Sequence, residues 1–131
     1  MTSRGLLLDT HVWLWTLDAS PKLAAGLRKA IAASVERLWL SPVSLWEAGF
    51  LAKRGRIRVD TTFRDWADDM LRRLPVVEAP VTSAVAVATT EFDLPHGDPA
   101  DRFLLATARV YDLTLLTLDR NLAGLPGTRS R

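Results

Sequence analysis

Short apolar runs alternate with longer segments whose apolar positions recur at helical spacing. The apolar runs have the length and continuity of buried parallel strands, and they lie at residues 6–8, 38–40, 76–77 and 115–118. The intervening segments predict helices over residues 12–17, 20–35, 42–54, 63–73, 83–91 and 99–111. Strands that alternate with helices predict an α/β fold with three layers, α/β/α, around a central parallel sheet.

Helix boundaries are marked by residues with specific backbone roles. Ser20-Pro21 and Ser41-Pro42 both have the form of a serine N-cap followed by proline at the first helical position. Gly55 follows the helix predicted over residues 42–54 and is a natural terminator. The absence of a repeat or a linker predicts one domain over residues 1–131, and the glycine- and proline-containing tail after about residue 122 is predicted to fray.

Composition narrows the classes of function. With 131 residues, 48% of them hydrophobic, the chain is long enough to bury a core. It has no cysteine, which excludes disulfides, thiolate zinc sites and a cysteine nucleophile and suits a cytoplasmic protein. The apolar runs are far shorter than the roughly 20 residues of a membrane span, so we expect no membrane association. The net charge is only +2, but most basic residues are arginine, which permits phosphate binding without requiring it.

Two aspartates follow predicted strands. Asp9 ends the first apolar run and Asp119 ends the last. In open α/β sheets the sites form beyond the carboxyl ends of strands, so both carboxylates are expected at one edge. The alternative is that each aspartate only caps the helix or turn that follows.

Three further acids occupy predicted helices. Glu47 lies on the apolar stripe of its helix, where a carboxylate is costly unless it is paired, although Ser44 and Glu47 also have the spacing of a capping box. Asp101 interrupts the apolar face formed by Leu104, Leu105 and Ala108, although its position in the first turn is also favoured by the helix dipole. Asp98, directly before a proline, is interpreted as an N-cap with a possible outer role at a metal.

A cluster of carboxylates indicates a divalent cation. Without a cation, mutual repulsion would raise the pKa values of the acids and destabilise the fold. Ligands that are all oxygen favour Mg²⁺ or Mn²⁺ over zinc. Because Mg²⁺ keeps water ligands and binds phosphate, the chemistry that this pattern predicts is phosphodiester hydrolysis.

Four segments resemble the signature segments of PIN domains, specifically those of the VapC-type toxins. In chain order they are LLDTHVWLW at 7–15, SPVSLWE at 41–47, DPADRFLLATA at 98–108 and LLTLD at 115–119. They occur in the order of the family and span nearly the whole chain, which makes the resemblance specific.

The resemblance implies a Mg²⁺-dependent endoribonuclease toxin that cuts structured RNA, such as transfer or ribosomal RNA, and is silenced by a cognate antitoxin. The acidic positions of the family correspond to Asp9, Glu47, Asp101 and Asp119, with Asp9 and Asp101 as the principal metal ligands. Glu47 and Asp119 would bind the metal directly or through water, and Asp98 matches an acid that is common in this subgroup. The family also forms homodimers within complexes of toxin and antitoxin.

Several basic and polar residues are candidate RNA contacts. Four cations lie at and just after the end of the helix that carries Glu47: Lys53, Arg54, Arg56 and Arg58. They are equally well explained as partners of the helix dipole. Arg102 could reach the scissile phosphate or form a structural salt bridge with a carboxylate. Thr10 could orient Asp9, touch a phosphate, or bond to the backbone of its own helix.

The histidines and tryptophans are given smaller roles. His11 and His96 are single residues in different contexts, and we do not expect either to be catalytic. The tryptophans lie mostly in apolar segments, so packing in the core or at a dimer interface is favoured over base stacking.

Two other classes of function compete with the nuclease. One is a phosphatase or response-regulator receiver, but His11 replaces the aspartate that a phosphatase needs two residues after its nucleophile. Paired acids at the first strand and a lysine after the last, which a receiver needs, are also lacking. The other is a PIN fold without activity that only binds its partner, which the presence of all four acids disfavours.

Overall fold

A computed structural model of the protein describes residues 4–94 and 98–131. In this part of the chain a parallel sheet has the strand order β3-β2-β1-β4-β5. Its strands are β1 (Gly5–Leu8), β2 (Leu38–Leu40), β3 (Val77–Glu78), β4 (Leu113–Leu116) and β5 (Thr128–Arg129). The helices are α1 (Thr10–Leu17), α2 (Ala25–Ala33), α3 (Pro42–Lys53), α4 (Phe63–Arg73), α5 (Ser83–Ala88) and α6 (Pro99–Val110).

The central strand β1 separates two hydrophobic cores. Leu6 and Leu8 belong to one core, which is built with residues of α1 to α4. Leu7 points to the other face and packs in the core with α6. All three leucines are buried, which explains why β1 is a continuous apolar run in the sequence: a strand covered on both faces needs apolar side chains on both. The predicted three-layer α/β/α fold with a parallel sheet is confirmed.

Most of the predicted helices form close to their predicted bounds. Ser41 accepts a hydrogen bond from the Val43 amide and Pro42 occupies the first turn of α3, as its sequence predicts. Gly55 follows the end of α3 with a φ of 69°, a conformation that glycine adopts without a steric penalty. Among the described residues, no helix is long and apolar enough to cross a membrane.

The helix start predicted at Ser20-Pro21 is wrong. Ser20 instead begins a turn. Its hydroxyl accepts from the Lys22 amide, and its carbonyl accepts from the Leu23 amide. The helix α2 begins at Ala25, without a side-chain cap. The same cap signal therefore opens α3 but makes a turn before α2. Helix α5 is also shorter than predicted and ends at Ala88.

The end of the chain differs from the prediction in two ways. Strand β4 covers Leu113–Leu116 rather than residues 115–118, because its register with β1 pairs Leu113 with Gly5 and Leu116 with Leu8. Asp119 thus lies three residues beyond the strand. The prediction of a frayed tail is wrong: Thr128–Arg129 adds β5 to the edge of the sheet, and the Thr117 amide donates to the Arg129 carbonyl.

Candidate active site

The acids singled out from the sequence meet at the carboxyl edge of the sheet. Asp9 directly follows β1, and Asp119 follows β4 after a short extension. Asp101 lies in the first turn of α6, and Glu47 lies in α3. The charges of Asp119 and Asp9 help to raise the pKa of Asp101, and the charge of Asp9 helps to raise the pKa of Glu47. One edge therefore collects carboxylates from two strands and two helices, which is how an α/β sheet builds a site.

Asp9 is both a helix cap and a member of the cluster. Its Oδ1 accepts from the Thr10 amide at 2.7 Å, which caps α1. Its Oδ2 accepts from the Thr117 hydroxyl at 2.6 Å. Both interpretations drawn from the sequence are thus compatible, because the two oxygens do different things. Thr117 is 0% exposed, and its hydroxyl oxygen also accepts from the Asp119 amide at 3.0 Å, so it links the two strand-end acids.

Glu47 is held by a threonine from the neighbouring helix. The Thr10 hydroxyl donates to Glu47 Oε1 at 2.5 Å and lies 3.0 Å from the hydroxyl oxygen of buried Ser44. The capping-box interpretation of Ser44 and Glu47 is wrong, because Ser41 caps the helix and Glu47 turns toward the cluster instead. Thr10 therefore positions Glu47 through its hydroxyl and Asp9 through its amide, so the predicted role in orienting Asp9 agrees with the structure, while a contact with phosphate stays a prediction.

Asp101 is the electrostatic centre of the cluster. It is only 8% exposed, and burial raises its pKa to about 8. The carboxylates of Asp98, Asp119 and Asp9 contribute to this rise in the pKa, in decreasing order. Asp101 also shares a side-chain hydrogen bond with Asp119 that favours its protonated form. The apolar stripe to which Asp101 was assigned is confirmed, since Leu104, Leu105 and Ala108 are all buried.

The pKa values of buried Asp9 and half-buried Glu47 are raised as well. Burial raises the pKa of Asp9, while its hydrogen bonds from Thr117 and Thr10 oppose the rise. Burial also raises the pKa of Glu47; the hydrogen bond from Thr10 opposes this, and the charges of Asp9 and Asp98 add to it. Asp98 is exposed and accepts from the Ala100 amide at 2.9 Å, which confirms it as the cap of α6.

The raised pKa of Asp101 predicts that the protein without bound metal loses stability as pH rises. The folded state keeps a proton on Asp101 up to about pH 8, whereas the unfolded chain releases it near pH 4. The free energy of unfolding should fall between these values, by on the order of 2–4 kcal/mol from pH 5 to pH 8 at about 1.4 kcal/mol per pKa unit. Thermal unfolding in EDTA across this range measures the effect.

Asp101→Asn should flatten that pH dependence, because the amide cannot ionise. Asp68→Asn, which removes an exposed carboxylate from α4, is the matched control and should leave the slope as in the parent protein. Equal slopes in the parent and in Asp101→Asn would contradict the electrostatic account of the cluster.

The cluster fits a divalent cation that keeps part of its hydration shell. Its donors are carboxylate and hydroxyl oxygens, which are the ligands that Mg²⁺ and Mn²⁺ prefer. Over residues 4–94 and 98–131, no three acidic or histidine side chains lie close enough together to hold one metal ion among them. Mg²⁺ is commonly held by one or two carboxylates with water completing the shell, so an incomplete protein set suits it.

The candidate RNA contacts differ in their exposure and in the groups that they bind. Lys53 and Arg54 are exposed at the end of α3, and Arg58 pairs with Asp60 at 2.9 Å on the surface. Arg102 does not pair with a carboxylate of the described residues, so the predicted salt bridge is wrong, while its contact with a phosphate stays a prediction. Its guanidinium donates to the backbone carbonyls of Thr89, Phe92 and Leu94, and therefore braces the segment after α5.

The histidines and tryptophans divide between core and surface. His11 is exposed next to the acids and packs against Trp15, with ring centroids 5.6 Å apart; His96 lies outside the described residues. Trp13 is fully buried, as the packing interpretation predicts. Trp46 is 58% exposed on α3, so it does not pack in the core of the described chain, and its place at an interface stays a prediction.

Two hydroxyl residues of the site were missed from the sequence. Thr117 binds Asp9 across 108 residues, and Ser44 approaches Thr10 across 34. Threonine and serine are common in turns and caps, so the sequence pattern does not distinguish these two from others. The position of Thr117 two residues before Asp119 is the only signal that could have indicated it.

Comparison with known proteins agrees with the fold. The PIN domain family matches residues 6–127. A curated relative, Ribonuclease VapC22 of Mycobacterium tuberculosis, is 33% identical over 118 residues, which cover 89% of this chain and 88% of that protein.

Solved structures share the fold at lower identity. A toxin–antitoxin complex from Klebsiella pneumoniae matches with a TM-score of 0.64 at 20% identity, over 96% of this chain and 97% of that one. DNA-bound VapBC from Salmonella typhimurium matches with a TM-score of 0.64 at 18% identity, over 95% of both chains. Because the family match covers nearly the whole chain, this protein belongs to the PIN domain family, and within it the protein resembles VapC.

Proposed function

We propose that this protein is a Mg²⁺-dependent endoribonuclease toxin that hydrolyses phosphodiester bonds in structured RNA, such as transfer or ribosomal RNA. The observation that carries the proposal is the meeting of Asp9, Glu47, Asp101 and Asp119 at one edge of the sheet. The similarity to a ribonuclease over nine tenths of the chain supports it. Mn²⁺ is expected to substitute for Mg²⁺, because both prefer oxygen ligands.

In this proposal Asp9 and Asp101 are the principal metal ligands. Glu47 and Asp119 bind the ion directly or through water, and Asp98 contributes charge from the cap of α6. When bound, a divalent ion lowers the pKa of a coordinated water and stabilises the negative charge that develops on the phosphate. The ion also offsets the repulsion that raises the pKa values of the acids.

The remaining residues of the site orient these acids. The Thr117 hydroxyl fixes one oxygen of Asp9, while the Thr10 amide fixes the other. The Thr10 hydroxyl orients Glu47. These bonds hold the carboxylates in place before RNA arrives, and such preorganisation lowers the barrier because little needs to rearrange in the transition state. His11 is adjacent but is given no proton-transfer step.

We propose a cognate antitoxin as the protein partner and a homodimer within the complex. The toxin–antitoxin complexes among the similar structures support a protein partner. Trp46 and Phe50 form an exposed aromatic pair on α3, with ring centroids 5.0 Å apart, and an exposed apolar patch commonly marks an interface. The proposed place of action is the cytoplasm, where the RNA substrates are found.

The test is incubation of total cellular RNA with purified protein in Mg²⁺, in Mn²⁺ and in EDTA, with Asp9→Asn alongside. We expect discrete fragments in either metal and none in EDTA or with Asp9→Asn. A folded wild-type protein that binds RNA but cuts none of it in either metal would instead support the alternative, a PIN fold that only binds its partner.

A further inference from the structure

Ser44 lies where α3 meets α1, one helical turn before Glu47. The side chains of Ser44 on α3 and Thr10 on α1 are both fully buried. The Thr10 hydroxyl oxygen lies 3.0 Å from the Ser44 hydroxyl oxygen and 2.5 Å from Glu47 Oε1. Ser44, Thr10 and Glu47 therefore form a row of hydrogen bonds, the hydroxyl relay, which ends at an acid of the site.

The direction of the two hydrogen bonds follows from the number of protons. A threonine hydroxyl has one proton to donate. In Thr10 this proton goes to Glu47, because a bond to a carboxylate is stronger than a bond to a neutral hydroxyl, and 2.5 Å is the length of such a bond. The Ser44 hydroxyl must then donate to Thr10 across the 3.0 Å contact. Ser44 thus fixes the direction in which Thr10 donates.

The Ser44 hydroxyl does not make the bond that is common for hydroxyls inside helices. Thr16 and Thr107 each donate to the backbone carbonyl four residues earlier, at 2.6 Å. In the described part of the chain, Ser44 makes no such bond, and Thr10 is the one partner of its side chain. Because a buried hydroxyl needs a hydrogen-bond partner, the Ser44 proton is committed to the relay.

We propose that Ser44 is a positioning residue of the acidic site: by donating to Thr10, it directs the Thr10 hydroxyl to Glu47 and holds the Glu47 carboxylate in place for a metal ion. The inference rests on the proposed function and extends it to a residue one hydrogen bond behind the acids. Buried hydrogen bonds in a row polarise one another, so loss of the first weakens the second. The Thr10 amide also donates to Asp9, so Ser44 supports the residue that contacts two acids.

The test measures Mn²⁺ binding to the full chain by electron paramagnetic resonance, together with RNA cleavage across a Mg²⁺ titration. Ser44→Ala removes only the hydroxyl, and alanine is a good helix former. We expect Mn²⁺ binding to weaken, and the Mg²⁺ concentration at half-maximal rate to rise, by about 3- to 10-fold. This is less than the roughly 10- to 100-fold cost of removing a direct partner of a ligand, because Ser44 acts through Thr10. Ser44→Thr, which returns the hydroxyl, should recover most of the Mn²⁺ binding.

Thr10→Val decides whether Ser44 acts through Thr10. Valine removes the hydroxyl, keeps a similar shape and keeps the backbone amide that donates to Asp9. In the Thr10→Val background the relay is already broken, so Ser44→Ala should change Mn²⁺ binding little further. Losses in the two single variants that add in the double variant would overturn the proposal.

Ser41→Ala is the matched control. Ser41 is also a fully buried serine, three residues earlier, but its hydroxyl accepts from the Val43 amide and caps α3. This variant should unfold at a lower temperature, because the cap is lost, and should bind Mn²⁺ like the parent protein. If Ser44→Ala behaved in the same way, the role of Ser44 would be structural only and the proposal would be overturned.

The outcomes separate the relay from the proposed nuclease. A wild-type protein that binds Mn²⁺ and cleaves RNA, with a Ser44→Ala variant that does both equally well, would reject only the relay. A wild-type protein that binds no Mn²⁺ would reject the metal site and the relay that serves it. Conversely, Mn²⁺ binding that weakens in Ser44→Ala, in a protein that cleaves no RNA, would support the relay and reject only the nuclease.

Discussion

Replacement of Asp101 by asparagine is expected to lower the rate of RNA cleavage by about a thousandfold or more, while the protein stays folded. Asp101 is buried at the centre of the acidic cluster, and the amide removes the charge that a cation requires without changing the size of the side chain. The amide can still donate to Asp119. Single-turnover cleavage in Mg²⁺ measures the loss, and circular dichroism checks the fold.

Asp98→Asn is the matched comparison for this variant. Asparagine is as good an N-cap as aspartate, so the cap of α6 survives while one nearby negative charge is lost. We expect cleavage within a few-fold of wild type. A fully active Asp101→Asn protein would contradict the placement of the site, and a loss as large with Asp98→Asn would make Asp98 a metal ligand as well as a cap.

Thr117→Val should lower cleavage by about 10- to 100-fold, the usual cost of removing a residue that orients a metal ligand. Valine keeps the shape of threonine, but it removes the hydroxyl that donates to Asp9 at 2.6 Å and accepts from the Asp119 amide at 3.0 Å. The Mg²⁺ concentration at half-maximal rate should rise, because Asp9 is no longer held. Cleavage rates across a Mg²⁺ titration test both effects.

Thr117→Ser should restore most of the rate, since it returns the hydroxyl. Thr107→Val is the matched control: Thr107 is also fully buried in the structure, but its hydroxyl donates to the Phe103 carbonyl within α6. That variant should lose some stability and keep the Mg²⁺ dependence of the wild type. If Thr117→Val and Thr107→Val behaved alike, the role of Thr117 would be structural only.

Much of the fold and of the acidic site was predictable because it depends on local pattern. Leu6, Leu7 and Leu8 are apolar on both faces of β1, and that run alone places Asp9 at a strand end. Asp101 was identifiable because it interrupts the apolar face of α6. In both cases an acidic residue interrupts or ends an apolar segment, and the structure places both acids in the cluster.

The remainder depends on contacts between distant segments. Arg102 was expected to bind a carboxylate or a phosphate, but the carbonyls that it caps come together only when the segment after α5 folds back on α6. Ser20-Pro21 has the same local signal as Ser41-Pro42 and yet forms a turn. The tail joins the sheet because β4 offers an open edge, and no property of its own composition predicts this.

The most direct test of metal-assisted hydrolysis at the acidic cluster is analysis of the ends of the RNA fragments made by the wild-type protein in Mg²⁺ and in EDTA. Attack by water leaves the neighbouring 2′-hydroxyl intact, so we predict fragments without a 2′,3′-cyclic phosphate, formed only when Mg²⁺ is present. Fragments that carry a cyclic phosphate, or that form equally in EDTA, would contradict the account, because the 2′-hydroxyl would then be the nucleophile and the carboxylates would not need a cation.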